Sequence, residues 1–223
     1  MTLVSICIPY YNQAEWVART IESVYGQTYP QWELIIVDDG SQEPLPEFWV
    51  PDQDVRVLEV TNRGLPNARN VGLLNARGEA FLPLDSDDWI ASDYLEKTVP
   101  LLAEADVVLT GLQEHGETRN GTYMPGYDRS HGLVDETVLW DFNRFFYCSL
   151  FRTSLLRECG GYNGRMLHGY EDWDLWIDLM RRGTRFAAVY EALFHYSTRA
   201  ESMLSHSERM REEIVAEMHR HHP

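Results

Sequence analysis

Residues 3–39 read LVSICIPYYNQAEWVARTIESVYGQTYPQWELIIVDD. The run at 3–10, LVSICIPY, is short, apolar and rich in β-branched residues, which predicts a buried strand. AEWVARTIESVYGQ (14–27) changes period: Trp16, Ile21 and Val24 fall among the apolar positions of a helix, and Asn12 is expected to cap it. WELIIVDD (32–39) returns to a buried strand that ends in two acids. A strand, a helix and a second strand in so short a span describe a parallel crossover unit.

The alternation continues. VRVLEV (55–60) predicts a third strand, LPNARNVGLLNARG (65–78) a helix with Gly78 as its stop, and EAFLPLD (79–85) a fourth strand. SDYLEKTVPLLAEA (92–105) predicts a helix starting near Ser92, and DVVLTG (106–111) a fifth strand. The fold class is therefore α/β, a mainly parallel central sheet with helices on both faces. Such sheets bind ligands at the carboxyl ends of their strands. Three polar clusters stand at those ends: Tyr10-Tyr11-Asn12, Asp38-Asp39, and LDSDD with Asp85, Asp87 and Asp88. One aspartate at a strand end makes a turn. Two acidic clusters at matching places point to a ligand.

From about residue 112 the pattern loosens. Asn120-Gly121 predicts a hairpin turn. ETVLWDF (136–142) is a short segment, RFFYCSLF (144–151) a strand and SLLRECGG (154–161) a helix closing on Gly160 and Gly161. EDWDLWIDLMRRG (171–183) is a helix with a stripe of Trp173, Trp176, Ile177 and Met180, acids at its start and Arg181-Arg182 at its end. No linker or repeat divides the chain. One domain, 1–223, is expected, with a ligand-binding half at 1–111, a smaller second subregion at 112–203 and a C-terminal helix or tail at 204–223, whose HRHHP end reads as solvated.

Composition narrows the function. The 223 residues carry 35 acidic and 19 basic side chains, a formal net charge of −16, which argues against a nucleic-acid partner. Lys97 is the sole lysine, so the Gly-Lys-Ser/Thr loop of an ATPase is excluded. Cys7, Cys148 and Cys159 lack metal-ligand spacing and suggest a reducing compartment. There is no leader-like start and no apolar run long enough to span a bilayer, so a cytoplasmic location is expected, with peripheral membrane contact open. D-x-D at a strand end suits a hard divalent cation, magnesium or manganese, that shares its remaining positions with phosphates.

VSICIPYYNQAEWVARTIESVYGQTYPQWELIIVDDGS, GLPNARNVGLLNARGEAFLPLDSDDW and GGYNGRMLHGYEDWDLWIDLMRRG occur in the order and spacing of the family 2 glycosyltransferases. The chain resembles that family over residues 3–203, although GGYNGRM replaces a more usual acidic GGFDE. The resemblance implies the GT-A (Rossmann-like) fold and inverting transfer of a sugar from a nucleotide-diphosphate sugar to a hydroxyl. It implies that Pro9, Tyr11, Asp39, Arg69 and Asp85 serve the nucleotide and donor, with Tyr11 on the base and Asp39 on an edge that suits uracil or thymine. It further implies that Asp87 or Asp88 binds Mn2+ or Mg2+ and that Asp172 is the catalytic base. Arg199, or else His195, would meet the diphosphate or metal, and Glu171 and Trp173 would lie on the acceptor side. Cys148 and Ser149 lack a base nearby in sequence and read as floor. The acceptor stays open: carbohydrate, lipid-linked glycan or protein.

Rival classes fit less well. A phospho-receiver needs a lysine after its fifth strand, a haloacid-type phosphatase needs D-x-D after its first, and a sugar-nucleotide pyrophosphorylase opens with a Gly-rich basic loop where this chain has PYYNQAEW. A non-catalytic relative that binds nucleotide-sugar remains the alternative of a different kind.

Overall fold

The computed structural model describes residues 1–43, 45–46, 54–116, 120–125, 139–140, 143, 145–198, 207 and 209–222. Its strands are β1 (Val4–Tyr10), β2 (Trp32–Asp38), β3 (Val55–Glu59), β4 (Ala80–Pro83), β5 (Trp89–Ile90), β6 (Val107–His115), β7 (Thr122–Tyr123), β8 (Leu150–Arg152) and β9 (Phe186–Ser197). Its helices are α1 (Ala14–Tyr25), α2 (Leu65–Asn75), α3 (Tyr94–Thr98), α4 (Thr153–Glu158), α5 (Glu171–Arg181) and α6 (Arg211–His221).

The described strands form one sheet in the order β3-β2-β1-β4-β8-β6-β9-β5, with β7 beside β6. β1, β2, β3 and β4 run parallel. β8 is antiparallel to both β4 and β6, and β6 is parallel to β9. Hence β6 and β9 point the same way as β4, while β5, β7 and β8 oppose them. The expected parallel sheet is present, but its fifth strand does not abut the fourth, because β8 lies between them. β6 also runs on to His115, past a register shift at Thr110–Leu112. Gly111 permits that shift: a Cβ there would lie 2.7 Å from the Glu191 carbonyl oxygen.

Both faces of the sheet are covered, as period-2 side-chain alternation requires. Ile6, Ile8, Tyr10, Leu34 and Ile36 pack with Val17, Ile21 and Val24 of α1 and with Tyr94 and Leu95 of α3. Cys7, Ile35 and Val37 face the other way, onto Ala68 and Leu73 of α2 and the layer of Trp173, Trp176 and Ile177 from α5. Ile214 and Met218 of α6 join this second layer. α2 lies close to β1 because Gly72 faces Cys7; a Cβ at 72 would stand 2.1 Å from its Sγ.

Several expected boundaries move. The helix predicted at 92–105 divides into α3 and a 3-10 turn, Val99–Ala103, at Pro100, which cannot donate to a continuing ladder. α2 stops at Asn75, before Gly78, whose absent side chain lets the chain pass 2.6 Å (Cβ position to oxygen) from Leu3. The strand predicted at 144–151 shrinks to β8, with 145–149 in a loop. Asn12 does not cap α1. Its φ is 50° and its Oδ1 accepts from the backbone N–H groups of Gln42 and Glu43 at 2.8 and 3.1 Å, tying the end of β1 to the loop after β2. The predicted hairpin is seen as β6–β7 pairing, whereas 136–138, 141–142 and part of the turn, 117–119, lie outside the described residues.

Candidate active site

Because β1, β2, β4, β6 and β9 share a direction, their carboxyl ends line one edge. Tyr11, Asp39, Asp85, His115 and Ser197 all stand there. Tyr11 is 49% exposed, so its ring is available at the edge, whereas Pro9 is buried within β1. Asp39 is buried, and its oxygens accept from the N–H groups of Arg63 at 2.9 Å and Gly64 at 2.8 Å. It thereby fixes the loop that leads into α2.

The three acids after β4 have three different surroundings. Asp88 is 1% exposed; its Oδ1 accepts from Ser197 N–H at 2.7 Å and its Oδ2 from Tyr147 O–H at 2.6 Å. Burial, and then Asp85, hold its carboxyl well above the usual range. With both oxygens engaged and the side chain buried, Asp88, expected with Asp87 as a metal ligand, braces the loop. Asp85 and Asp87 keep partial exposure. The loop backbone is held from α1 and β9. The Asp87 carbonyl accepts from Arg19 at 2.8 Å and Ser197 Oγ at 2.5 Å, and the Asp88 carbonyl accepts from Thr20 Oγ1 at 2.6 Å.

Beneath this loop lies Arg69, 1% exposed. Its Nη2 donates to Asp85 Oδ1 at 2.7 Å and its Nη1 to Glu171 Oε1. The guanidinium carbon sits 4.7 Å from the Tyr147 ring centre and 5.4 Å from that of Tyr162. Burial opposes the guanidinium charge, but Asp85 and Glu171 more than reverse this, so its proton is held tighter than in water. Arg69, expected near the nucleotide, links the D-x-D loop to the start of α5. Glu171 is likewise no open acceptor-side group. Burial lifts its carboxyl to about 7, with Arg69 opposing the rise and Asp172 adding to it.

Asp172, next along α5, is half-buried, and its Oδ2 accepts from Asn143 Nδ2 at 2.9 Å. Burial raises its pKa, against Arg69 and the Asn143 bond. It is thus a stronger base than a solvated aspartate. Tyr170, with φ 61°, turns the chain sharply into this helix. Trp173 is 3% exposed and donates its Nε1–H to the Leu139 carbonyl, so it belongs to the core and not to an acceptor wall. Cys148 and Ser149 are buried under the same floor.

His195 pairs across the strands with Trp89, stacks on its ring at 5.2 Å, and shares a 2.9 Å contact between its Nδ1 and His115 Nε2. Burial lowers the pKa of both imidazoles, which favours their neutral forms. Arg199 lies outside the described residues. Sequence reasoning missed Tyr147, Ser197, Asn143 and Arg19. Each acts through tertiary contacts without a motif; Tyr147 stands one place before the cysteine that drew attention.

The donor set of the loop suits magnesium or manganese. Asp85 and Asp87 offer one or two carboxylates, which is what such ions take when phosphates complete the shell. Among the described residues no third His, Cys, Asp or Glu ligand atom converges on them.

The model for glycosyl transferase family 2 matches residues 5–160, more than half of the chain. The chain belongs to glycosyl transferase family 2. Among its relatives, glycosyltransferase GlyG of Streptococcus pneumoniae serotype 4 is 34% identical over 186 residues, covering 73% of this chain and 61% of GlyG. The fold is shared with S. aureus TarS 1-349, solved with UDP-GlcNAc, at a TM-score of 0.70 and 21% identity, covering 97% of this chain and 66% of that one. It is also shared with mannosyltransferase PcManGT of Pyrobaculum calidifontis, solved with GDP-Man and Mn2+, at 0.66 and 23% identity, covering 95% and 61%. The sheet and its cleft are thus the GT-A architecture. The chain spans only 21% of the length of two Rickettsia relatives it matches and 46% of a Haemophilus influenzae one.

The Arg69 bridge generates a stability prediction. Arg69→Met leaves Asp85 and buried Glu171 without their shared cation. Breaking a buried ion pair by removing one partner costs about 3–5 kcal/mol. Urea unfolding should show a loss of that size, against a change within about 0.5 kcal/mol for the exposed Arg220→Met. A similarly small loss for Arg69→Met would show that the bridge does not hold the site together.

Proposed function

We propose that this chain transfers a sugar from a nucleotide-diphosphate sugar to a hydroxyl acceptor, with inversion and with Asp172 as general base. The observation that carries the reading is the buried guanidinium that joins Asp85 of the D-x-D loop to Glu171 beside Asp172. One cation sets the distance between a metal-suited pair of acids and a raised-pKa carboxylate on the neighbouring helix. The family membership, and the nucleotide-sugars bound to TarS and PcManGT, support the same chemistry.

In this reading the base stacks on Tyr11 at the end of β1, beside Pro9. Asp39 accepts an imide N–H from uracil or thymine. Each of its oxygens has one backbone partner, and a carboxylate has about four lone-pair sites, so an acceptor direction remains. Asp85 and Asp87 would hold a divalent cation, Mn2+ or Mg2+, which when bound supplies charge neutralisation to the leaving diphosphate. His195, through the ring nitrogen not engaged with His115, and Arg199 are the candidates for diphosphate contact. The acceptor hydroxyl approaches from the α5 side, and Asp172 takes its proton as the anomeric carbon is attacked from the face opposite the diphosphate. Arg69 and Glu171 are positioning residues: they fix Asp172 relative to Asp85 without touching the reacting atoms. Carbohydrate, lipid-linked and protein acceptors all fit this scheme. No described helix is long and apolar enough to cross a membrane.

Two experiments follow. Asp172→Asn should lower the transfer rate about 10²–10⁴-fold while UDP affinity stays within about threefold, because base removal spares the donor contacts. Glu171→Gln should lose less. Near wild-type turnover by Asp172→Asn would refute the base assignment, and equal losses of rate and donor affinity would move Asp172 to the donor site. In calorimetry, Mn2+ should tighten UDP binding, Asp87→Asn should abolish that gain, and GDP should bind more weakly by about 1–3 kcal/mol, one good hydrogen-bond pair. A Mn2+ effect that survives Asp87→Asn would make the acids turn formers, and a purine preference would reject the Asp39 assignment.

A further inference from the structure

Within the C-terminal HRHHP sequence, residues 219–221 are exposed but helical, and His222 is buried. α6 packs Ile214 and Met218 into the core, and its end brings His221 and His222 onto Asp174 of α5. His221 Nδ1 lies 2.8 Å from Asp174 Oδ2. His222 Nε2 lies 3.1 Å from Asp174 Oδ1 and 3.1 Å from the Asp174 carbonyl oxygen. Adjacent residues in a helix point about 100° apart, so two neighbouring histidines do not ordinarily share one carboxylate. Here His222 leaves helical geometry, at φ −119° and ψ 71°, and its ring turns back. Trp140 stacks on His219 at 4.4 Å and meets the His222 ring edge-on at 6.4 Å, which fixes the end of the helix from the other side.

Asp174 is 1% exposed and His222 7%, whereas the His221 side chain is 48% exposed. The cluster is closed on the core side and open on one. Two imidazole nitrogens and a carboxylate oxygen, all within 4.8 Å of one another, form the one such triad among the described residues. A buried carboxylate needs a compensating cation or full hydrogen bonding.

We propose that Asp174, His221 and His222 form a zinc site, distinct from the cleft, that clamps α6 onto the helix carrying Asp172. Nitrogen-rich ligands select zinc over magnesium or manganese, and three protein ligands with one open position match its tetrahedral preference. Zinc bonds of about 2.0–2.1 Å set neighbouring ligand atoms about 3.3 Å apart. The two nitrogen–oxygen contacts, 2.8 and 3.1 Å, open by a few tenths of an ångström to reach that spacing, and the ligand atoms, all within 4.8 Å of one another, close by up to about 1.5 Å. A neutral imidazole that donates to Asp174 binds the ion as its other tautomer, with the proton moved to the second ring nitrogen. Water completes the shell on the His221 side. The proposal does not depend on the sugar-transfer reading.

The test uses the full chain, stripped with a chelator and dialysed, in saturating magnesium to occupy carboxylate-only sites and without nucleotide. Zinc titrated by calorimetry should bind at one ion per chain and raise the melting temperature. His221→Ala, exposed and compatible with folding, and Asp174→Asn should each weaken binding by at least about 100-fold, against about threefold or less for His219→Ala. Cobalt should bind with the intense visible absorption of a tetrahedral site, and His221→Ala should lose it. The proposal is overturned if the wild type binds no stoichiometric zinc. It is equally overturned if folded Asp174→Asn keeps wild-type affinity, or if His219→Ala loses as much as His221→Ala, since the histidines alone would then hold the ion.

Discussion

A guanidinium sealed from water between two carboxylates is an expensive thing to build into a core, and the cleft is arranged around one. Arg69 is reached from α2, Asp85 from the end of β4 and Glu171 from the start of α5, so three elements distant in sequence must meet at one charge. Desolvating those ions costs several kcal/mol per group, and a well-packed apolar trio could be as stable. What the ions add is fixed geometry. With Arg69 held between Asp85 and Glu171, and its guanidinium over Tyr147, Asp172 and the D-x-D loop cannot drift independently. The remaining acids outnumber the cations there. Of these acids Asp85, Asp87 and Asp172 keep partial exposure, and in the proposed reading they would face a divalent ion and a cation-like sugar carbon.

The elements of the first half were legible because each is set by local pattern. Buried β-branched runs made β1 and β2, the 3.6-residue period made α1, and the chain direction placed Asp39 and Asp85 at one edge. What could not be read was how each acid is used there. Asp87 and Asp88 are neighbours in sequence with the same chemistry, yet only contacts from Tyr147 and Ser197 turn Asp88 inward. The role of Arg69 was hidden for the same reason, since its partners are 16 and 102 residues away. Trp173 read both as part of an apolar stripe and as an acceptor-side residue; its burial and its bond to the Leu139 carbonyl are tertiary facts that seat it in the core. In the second half RFFYCSLF announced a strand, but not that its end, β8, runs antiparallel between β4 and β6, since strand order is set by tertiary contacts.

α5 unites the two chemical features of the chain. Its first turn carries Glu171 and Asp172 toward the cleft, and Asp174 faces α6. Trp173, Trp176 and Ile177 anchor the helix in the core between these functions. The position of Asp172 therefore depends on packing from below, on Arg69 from the D-x-D loop and on the C-terminal helix behind it.

Arg69 couples the D-x-D loop to the start of α5, and a thermodynamic cycle on folding stability tests this coupling most directly. Urea unfolding of Asp85→Asn, Glu171→Gln and the double variant measures the coupling. Each single change leaves the buried guanidinium one carboxylate, whereas the double change leaves it none. The account predicts that the double variant loses at least about 1 kcal/mol more than the sum of the singles, and that this excess vanishes in an Arg69→Met background. Additivity within about 0.3–0.5 kcal/mol with Arg69 present would contradict it.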